Sequence, residues 1–206
     1  MAECMPYMTL MEERLKLMKT STAAKVDVTL YRSIVGGLRY LIHTRPHIAF
    51  VVGYVSRFME DPREGHWAAV KQLQRYVKGT VDHGINFSKI SGSRLQLTVF
   101  SDADMAEDID GRRSTSGVLV FFGSALISWL SLKQKPAIAL VKNPVLHDRS
   151  KHIDVKFHFL KDCVDEGQIV IEFVETGRQL VDVLTKLLGR LRLMELKEMI
   201  GMKGYK

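Results

Sequence analysis

The chain has 206 residues, 46% of them apolar, and 30 Lys and Arg against 23 Asp and Glu give it a formal charge of +7. That apolar content excludes a disordered chain, and the length allows one large or two small domains. Two distant cysteines, Cys4 and Cys163, exclude a disulfide framework and a cysteine-based zinc module, and point to a reducing compartment.

Residues 1–27 mix Met, Lys, Glu and Thr without a period and read as an irregular lead-in. They carry neither the basic region nor the apolar core of a secretory leader, so the expectation is an intracellular protein, in cytoplasm or nucleus. From Val28 the pattern turns helical. Leu30, Ile34, Leu38 and Leu41 recur at spacings of three and four, with Thr29 as the expected N-cap. Pro46 sits where a second helix begins and its missing N–H costs nothing; Ile48, Phe50, Val51, Val55 and Phe58 follow. Asp61-Pro62 is expected to end that helix and cap a third, which carries Trp67, Val70, Leu73, Tyr76 and Val77 and stops at Gly79. Lys71, Arg75 and Lys78 form a basic stripe on the third helix, beside Gln72 and Gln74. Such a stripe either grips phosphates or is the solvated side of an amphipathic helix. A short strand is expected over Gly84 to Ser88, and the polar loop Ile90-Ser-Gly-Ser93 marks a domain boundary.

After the boundary the period changes to two. Leu95, Leu97 and Val99 alternate with Gln96 and Thr98, a half-buried strand. Val118 to Phe122 and Ala125 to Trp129 are apolar runs joined by Gly123-Ser124, a hairpin. The whole stretch from Gly117 to Leu132 is broken by Ser124 and Ser128 and is too short to span a membrane. Pro136 to Val141 is a short apolar piece. His152 to Val164 reads as a helix, with Ile153, Phe157, Leu160 and Val164 on one side. Ile169 to Val174 is strand-like, and Gln179 to Leu188 reads as a helix that Leu191 to Met199 continues past Gly189. The fold class is α/β: a helical segment over 1–90, then a sheet flanked by helices over 91–206.

Asp102 and Asp104 close the strand Leu95 to Ser101, and then the acids stop: Gly111 to His147 contains neither Asp nor Glu. An acid at a strand end has its direction fixed by the backbone, which suits a ligand for Mg²⁺. Asp182, on the otherwise apolar Leu180-Val-Asp-Val-Leu184, is the second candidate. The bland alternatives are a turn cap for the strand-end acids and a helix-dipole anion for Asp182. His147, His152 and His158 match no zinc spacing, and Ser114-Thr-Ser-Gly117 reads as a turn leading into a strand rather than a nucleophile motif.

Several blocks resemble, in order, the end of the polyprotein of plant copia-type long-terminal-repeat retrotransposons. Tyr31-Arg-Ser-Ile-Val-Gly-Gly-Leu-Arg-Tyr-Leu41, Thr44-Arg-Pro-His-Ile-Ala-Phe50, Ser56-Arg-Phe-Met59 and Arg75-Tyr-Val-Lys-Gly-Thr80 resemble the reverse transcriptase segment after the polymerase palm. Ser101-Asp-Ala-Asp-Met-Ala106, Arg113-Ser-Thr-Ser-Gly117, Ile127-Ser-Trp129 and Lys133-Gln134 resemble the start of the ribonuclease H domain. Lys142-Asn-Pro-Val-Leu-His147, Arg149-Ser-Lys-His-Ile-Asp154 and Gln179-Leu-Val-Asp-Val-Leu-Thr-Lys186 resemble its end. The resemblance implies a ribonuclease H-like mixed sheet flanked by helices. It also implies cleavage of the RNA strand of an RNA–DNA hybrid with two Mg²⁺ ions held by four acids. Asp102 matches the first acid and Asp182 the fourth.

The second and third acids of the family belong between Lys133-Gln134 and Ala137-Ile-Ala-Leu140, which are joined here through Lys135-Pro136. A helix and a strand, on the order of 30 residues or more, are therefore expected to be missing near 134–137, through deletion or a false intron. Met105 stands where the family has Trp and Leu187 where it has Pro, and the polymerase catalytic motif is absent. The implied function is a ribonuclease H-like protein with a catalytic defect and doubtful Mg²⁺ binding. The alternatives are an inert remnant and a nucleic-acid-binding module that grips through Lys71, Arg75 and Lys78. The loss should uncover an apolar sheet face and lower stability, and either Ile169 to Val174 pairs with Leu95 to Ser101 or the sheet ends early.

Overall fold

Asp27, not Thr29, caps the first helix, α1 (Val28–Leu41): its Oδ1 accepts from Thr29 N at 2.8 Å and Leu30 N at 3.1 Å. This comes from a computed structural model that describes residues 4–87, 96–104, 114–134, 166, 170 and 172–205. Tyr31, Val35 and Leu38 line the buried side of α1, and the Tyr31 hydroxyl donates to the Val55 carbonyl at 2.9 Å. Pro46 opens a single 3-10 turn, Pro46–Ile48, before α2 (Ala49–Ser56). Ala49, Phe50, Val51, Val52 and Val55 of α2 are buried, because the helix packs against α1 and α3 as well as against the sheet. The third helix, α3 (Glu64–Lys78), buries His66, Ala69, Val70, Leu73 and Tyr76 at helical spacing and ends at Gly79. Its start differs from the Asp61 cap expected. His66 Nδ1 accepts from the Arg63 N–H at 3.0 Å, and Asp61 instead pairs with the Arg63 guanidinium.

The chain divides into two units, Met1–Lys133 with Leu180–Lys206, and Gln134–Gln179. In the first, β1 (His83–Ile85) pairs antiparallel with β5 (Met202–Gly204), so the C-terminal strand returns to the helical segment. A second sheet has the order β2 (Leu97–Ala103), β3 (Thr115–Phe122), β4 (Ala125–Lys133), all antiparallel. The β3–β4 hairpin turns at Gly123, whose φ of 58° lies in the left-handed region that glycine enters freely. Trp129 Nε1 donates to the Ile42 carbonyl at 2.8 Å, tying β4 to the end of α1. One apolar core takes in Val35, Val52, Leu73, Leu119, Leu184 and Leu196, so it runs through helices and sheet alike.

The α/β class stands. Among the described residues β2 pairs only with β3, so the sheet ends at β2. Two expectations for the C-terminal part fail. Val170 and residues 172–174 belong to no strand, and Val170 and Phe173 are exposed. The helix expected over Gln179 to Leu188 is only α4 (Asp182–Thr185), because Lys186 leaves helical space with φ −133° and ψ 156°. A separate helix, α5 (Arg190–Met199), starts after Gly189. In the second unit the described element is a 3-10 turn, Thr176–Arg178. The helix expected over His152 to Val164 and the piece Pro136 to Val141 lie outside the described residues.

Candidate functional site

Strand register sorts the side chains of the β2–β4 sheet into two faces, because successive residues point to opposite sides. Asp102 stands opposite Gly117, Phe100 opposite Leu119, and Leu119 opposite Trp129, so these share the face that packs on α2 and α4. Gly117 is what lets α4 come close. A Cβ there would overlap Val181, lie 2.9 Å from Thr185 Cγ2 and lie 3.1 Å from Leu184 Cβ. The absent side chain brings the start of α4 down beside Asp102. Ser131 Oγ fixes the other side of the helix by donating to the Leu184 carbonyl at 2.7 Å.

The two matched acids therefore sit together. Thr185 Oγ1 donates to Asp102 Oδ2 at 3.2 Å. The Lys186 ammonium lies 2.6 Å from Asp182 Oδ1 and 3.8 Å from Asp102 Oδ2, so one cation serves both acids. Arg192 Nη2 approaches Asp182 Oδ2 at 3.9 Å from α5. Asp182 is buried and Asp102 half-buried, so their charges are partly out of water and the two cations offset them.

Asp104 has a different task. It is buried; its Oδ1 accepts from the Thr115 N–H at 2.7 Å, and its own N–H donates to the Thr115 carbonyl at 3.0 Å. It closes the β2–β3 ladder. His147, His152 and His158 lie outside the described residues. Thr115 to Gly117 form the start of β3, the strand this segment was expected to lead into.

Among the described residues no group of three or more His, Cys, Asp or Glu converges as a metal site would require. A two-metal centre needs several acids to neutralise about four positive charges. The donor set among the described residues does not fit one: an ammonium already stands between the two carboxylates, and Arg192, itself paired with Glu195, lies beside Asp182.

The basic stripe is engaged as well. Arg75 Nε donates to the Met5 carbonyl at 2.7 Å, and its guanidinium lies 4.8 Å from the centre of the Tyr7 ring. Lys78 Nζ donates to the Cys4 carbonyl at 2.9 Å, and Lys71 Nζ lies 5.3 Å from the centre of the Trp67 ring. The N-terminal lead-in thus lies along α3.

Reading the sequence missed Lys186, Thr185, Arg192 and Gly117. Lys186 had a usable signal, since residues four apart on a helix are neighbours. A further buried cluster also escaped notice. His47 is fully buried with neither ring nitrogen hydrogen-bonded, and its ring meets Tyr76 edge-on at 5.7 Å. Burial, Lys197 and Arg45 hold its pKa well below the ordinary histidine value.

The chain is similar to three transposon proteins. It is 34% identical over 242 aligned positions to the retrovirus-related Pol polyprotein from transposon RE2 of Arabidopsis thaliana, covering 95% of this chain and 16% of that protein. It is 35% identical to the corresponding polyprotein from transposon RE1 of Arabidopsis thaliana, with the same coverages. To the polyprotein from transposon TNT 1-94 of Nicotiana tabacum it is 35% identical over 218 positions, 84% of this chain and 16% of that protein. The chain thus spans 16% of the length of these curated relatives. No family model and no solved structure matches it. Both Arabidopsis alignments run over 242 positions while the chain has 206 residues. At least the difference, 36 positions, therefore holds a residue in each relative and none here.

Proposed function

We propose a function for this chain from the premise that it belongs to the retrovirus-related Pol polyproteins of copia-type transposons. The chain is transposon-derived. Its second half is a ribonuclease H domain that has lost a helix and a strand near residues 134–137, and with them two of its four acids. It no longer cuts the RNA strand of an RNA–DNA hybrid. The observation that carries this reading is the occupant of the surviving pair: Asp102 and Asp182 share the Lys186 ammonium, and Arg192 lies 3.9 Å from Asp182 while held at 2.8 Å by Glu195. Hydrolysis of a phosphodiester by two metals needs an acid-rich cradle that draws both ions in and holds the attacking and leaving oxygens between them. A pair of acids with a tethered ammonium already between them exerts a much weaker pull. The length difference from the relatives supports the loss independently.

The test is a cleavage assay on an RNA–DNA hybrid with Mg²⁺, using the full chain, its Asp102→Asn variant and an intact relative. Product from the chain should equal that from Asp102→Asn, while the relative cuts. Mg²⁺-dependent product that disappears in Asp102→Asn refutes the reading. A hybrid-binding module is the weaker alternative, since Arg75 and Lys78 already donate to backbone carbonyls of the lead-in. Salt-sensitive binding lost in a Lys71→Ala, Arg75→Ala variant would favour it.

A further inference from the structure

Residues 4–9 run antiparallel to α3 and meet its basic stripe step by step. Thr9 Oγ1 accepts from Gln72 Nε2 at 3.3 Å, and the Tyr7 ring lies 4.8 Å from the Arg75 guanidinium. The Met5 carbonyl accepts from Arg75 Nε at 2.7 Å, and the Cys4 carbonyl accepts from Lys78 Nζ at 2.9 Å. Gly79 admits the segment, because a Cβ there would lie 2.8 Å from Pro6 Cβ. The Arg75 and Lys78 contacts lie at the surface. Met5 is 75% exposed and Met8 54%, and the buried residues of the lead-in begin at Leu10 and Met11. A segment held by exposed contacts, with little buried apolar surface of its own, opens at low cost.

We propose that the face of α3 carrying Lys71, Arg75 and Lys78 is a site for single-stranded nucleic acid, and that residues 4–9 cover it as a strap the strand displaces. The inference rests on the hybrid-binding alternative above and is independent of the loss of cleavage. The strap engages the face as a strand would. Acceptor oxygens sit on Arg75 and Lys78 where phosphate oxygens would go, and a ring lies over the Arg75 guanidinium where a base would stack. Lys71, Arg75 and Lys78 are spaced by four and three residues, so they follow one line of about 10 Å along the helix. The partners of Arg75 are neutral, a carbonyl and a ring, and that of Lys71 is the Trp67 ring at 5.3 Å. A phosphate brings an opposite charge and a second acceptor oxygen for the guanidinium fork, neither of which a carbonyl has. A strand therefore outcompetes the strap at low salt and loses that advantage as salt rises.

The test uses the full chain with Cys163→Ser and a nitroxide on Cys4, an exposed free thiol. The probe is an oligothymidylate of about 15 nucleotides. Tyr7→Ala with Gly79→Ala loosens the strap: one change removes the ring, the other presses on Pro6, and alanine accepts the φ of −75° at 79. This variant should bind the probe about 5–10-fold more tightly than the parent at low salt, since a covered site shows only its open fraction of the affinity. The probe should make the parent's label as mobile as the variant's. Adding Lys71→Ala and Arg75→Ala should reverse the gain in affinity. A variant with a mobile label and the parent's affinity overturns the strap and leaves the hybrid-binding alternative standing. So does a parent that binds while its label stays immobile, or a variant whose label is no more mobile than the parent's. No binding by parent or variant, to the probe or to a hybrid, overturns both. Inorganic polyphosphate has no rings to stack, and equal displacement of the label by it overturns the assignment to a single strand.

Discussion

Replacing Lys186 by Met removes the one cation that both surviving acids share, and the structure bounds the cost. A buried pair broken on one side loses ~3–5 kcal/mol, because a charge is left behind without its partner. An exposed pair contributes only ~0.2–1 kcal/mol. This pair lies between the limits: the Asp182 side chain is 8% exposed and that of Lys186 36%. Both acids also keep a second partner. Arg192 remains 3.9 Å from Asp182, and the Thr185 hydroxyl remains 3.2 Å from Asp102. Solvent screening at Lys186 and these remaining contacts place the loss near 1–2 kcal/mol, as an order of magnitude. Urea unfolding followed by Trp fluorescence measures it. With a slope of about 2 kcal/mol per molar, the midpoint should fall by roughly 0.5–1 M. Asp182→Asn in the Lys186→Met background should recover much of the loss, giving a coupling of ~1 kcal/mol between the two sites. A single variant within ~0.3 kcal/mol of the wild type, or a coupling of zero, refutes the assignment of Lys186 as the shared counter-ion.

Two further outcomes test the packing and the buried cluster. Gly117→Ala forces a Cβ into Val181 and Thr185, so α4 must back away from β3. The cost should be ~1–3 kcal/mol, read as a melting temperature lower by several degrees, and an unchanged melt would show that α4 is not seated there. His47 is held neutral in the folded chain by burial beside Lys197 and Arg45, while an unfolded histidine takes up a proton below ~6.5. Its contribution is therefore intact above pH 6.5 and is lost as pH falls below it, by up to ~1.4 kcal/mol per pH unit until the folded value is reached. Urea midpoints between pH 7.5 and 5.5 should drop more for the wild type than for His47→Leu, and equal drops would contradict this.

The helical segment was legible because its helices are amphipathic. On α3 the expected Val70, Leu73 and Tyr76 bury one stripe; on α1 the period was right but the stripe lies one position on, with Tyr31, Val35 and Leu38 buried while Leu30 is 46% exposed and Ile34 only partly buried. The hairpin was legible for a different reason, two continuous apolar runs, Val118 to Phe122 and Ala125 to Trp129, on either side of a glycine turn. The α4 region was misread because it has no period to read: Leu180 through Thr185 are all buried, so nothing distinguishes a four-residue helix from a ten-residue one. Ile169 to Val174 failed differently. Its composition favours a strand, but propensity supplies no partner, and a strand exists only through pairing. The N-cap was misplaced by two residues, since both Thr29 and Asp27 carry a suitable oxygen and only Asp27 has the reach to two N–H groups.

Position and chemistry at the acid pair have separate origins. Asp102 is placed by the β2–β3 register, and Asp182 is placed by α4 lying on Gly117. The β2–β3 register and the seat of α4 on Gly117 lie away from 134–137 in the chain, so a loss there would leave both of these contacts in place. Chemistry depends instead on the local sum of charge. Asp102 and Asp182 share Lys186, while Arg192 is divided between Asp182 at 3.9 Å and Glu195 at 2.8 Å, so a divalent cation must displace an ammonium that is tethered by the chain and therefore always present. With four acids the same lysine would be one cation in a strongly negative cradle, free to yield to metal or to touch a phosphate. The loss would thus change what Lys186 does without moving it, from a companion of the site to its occupant.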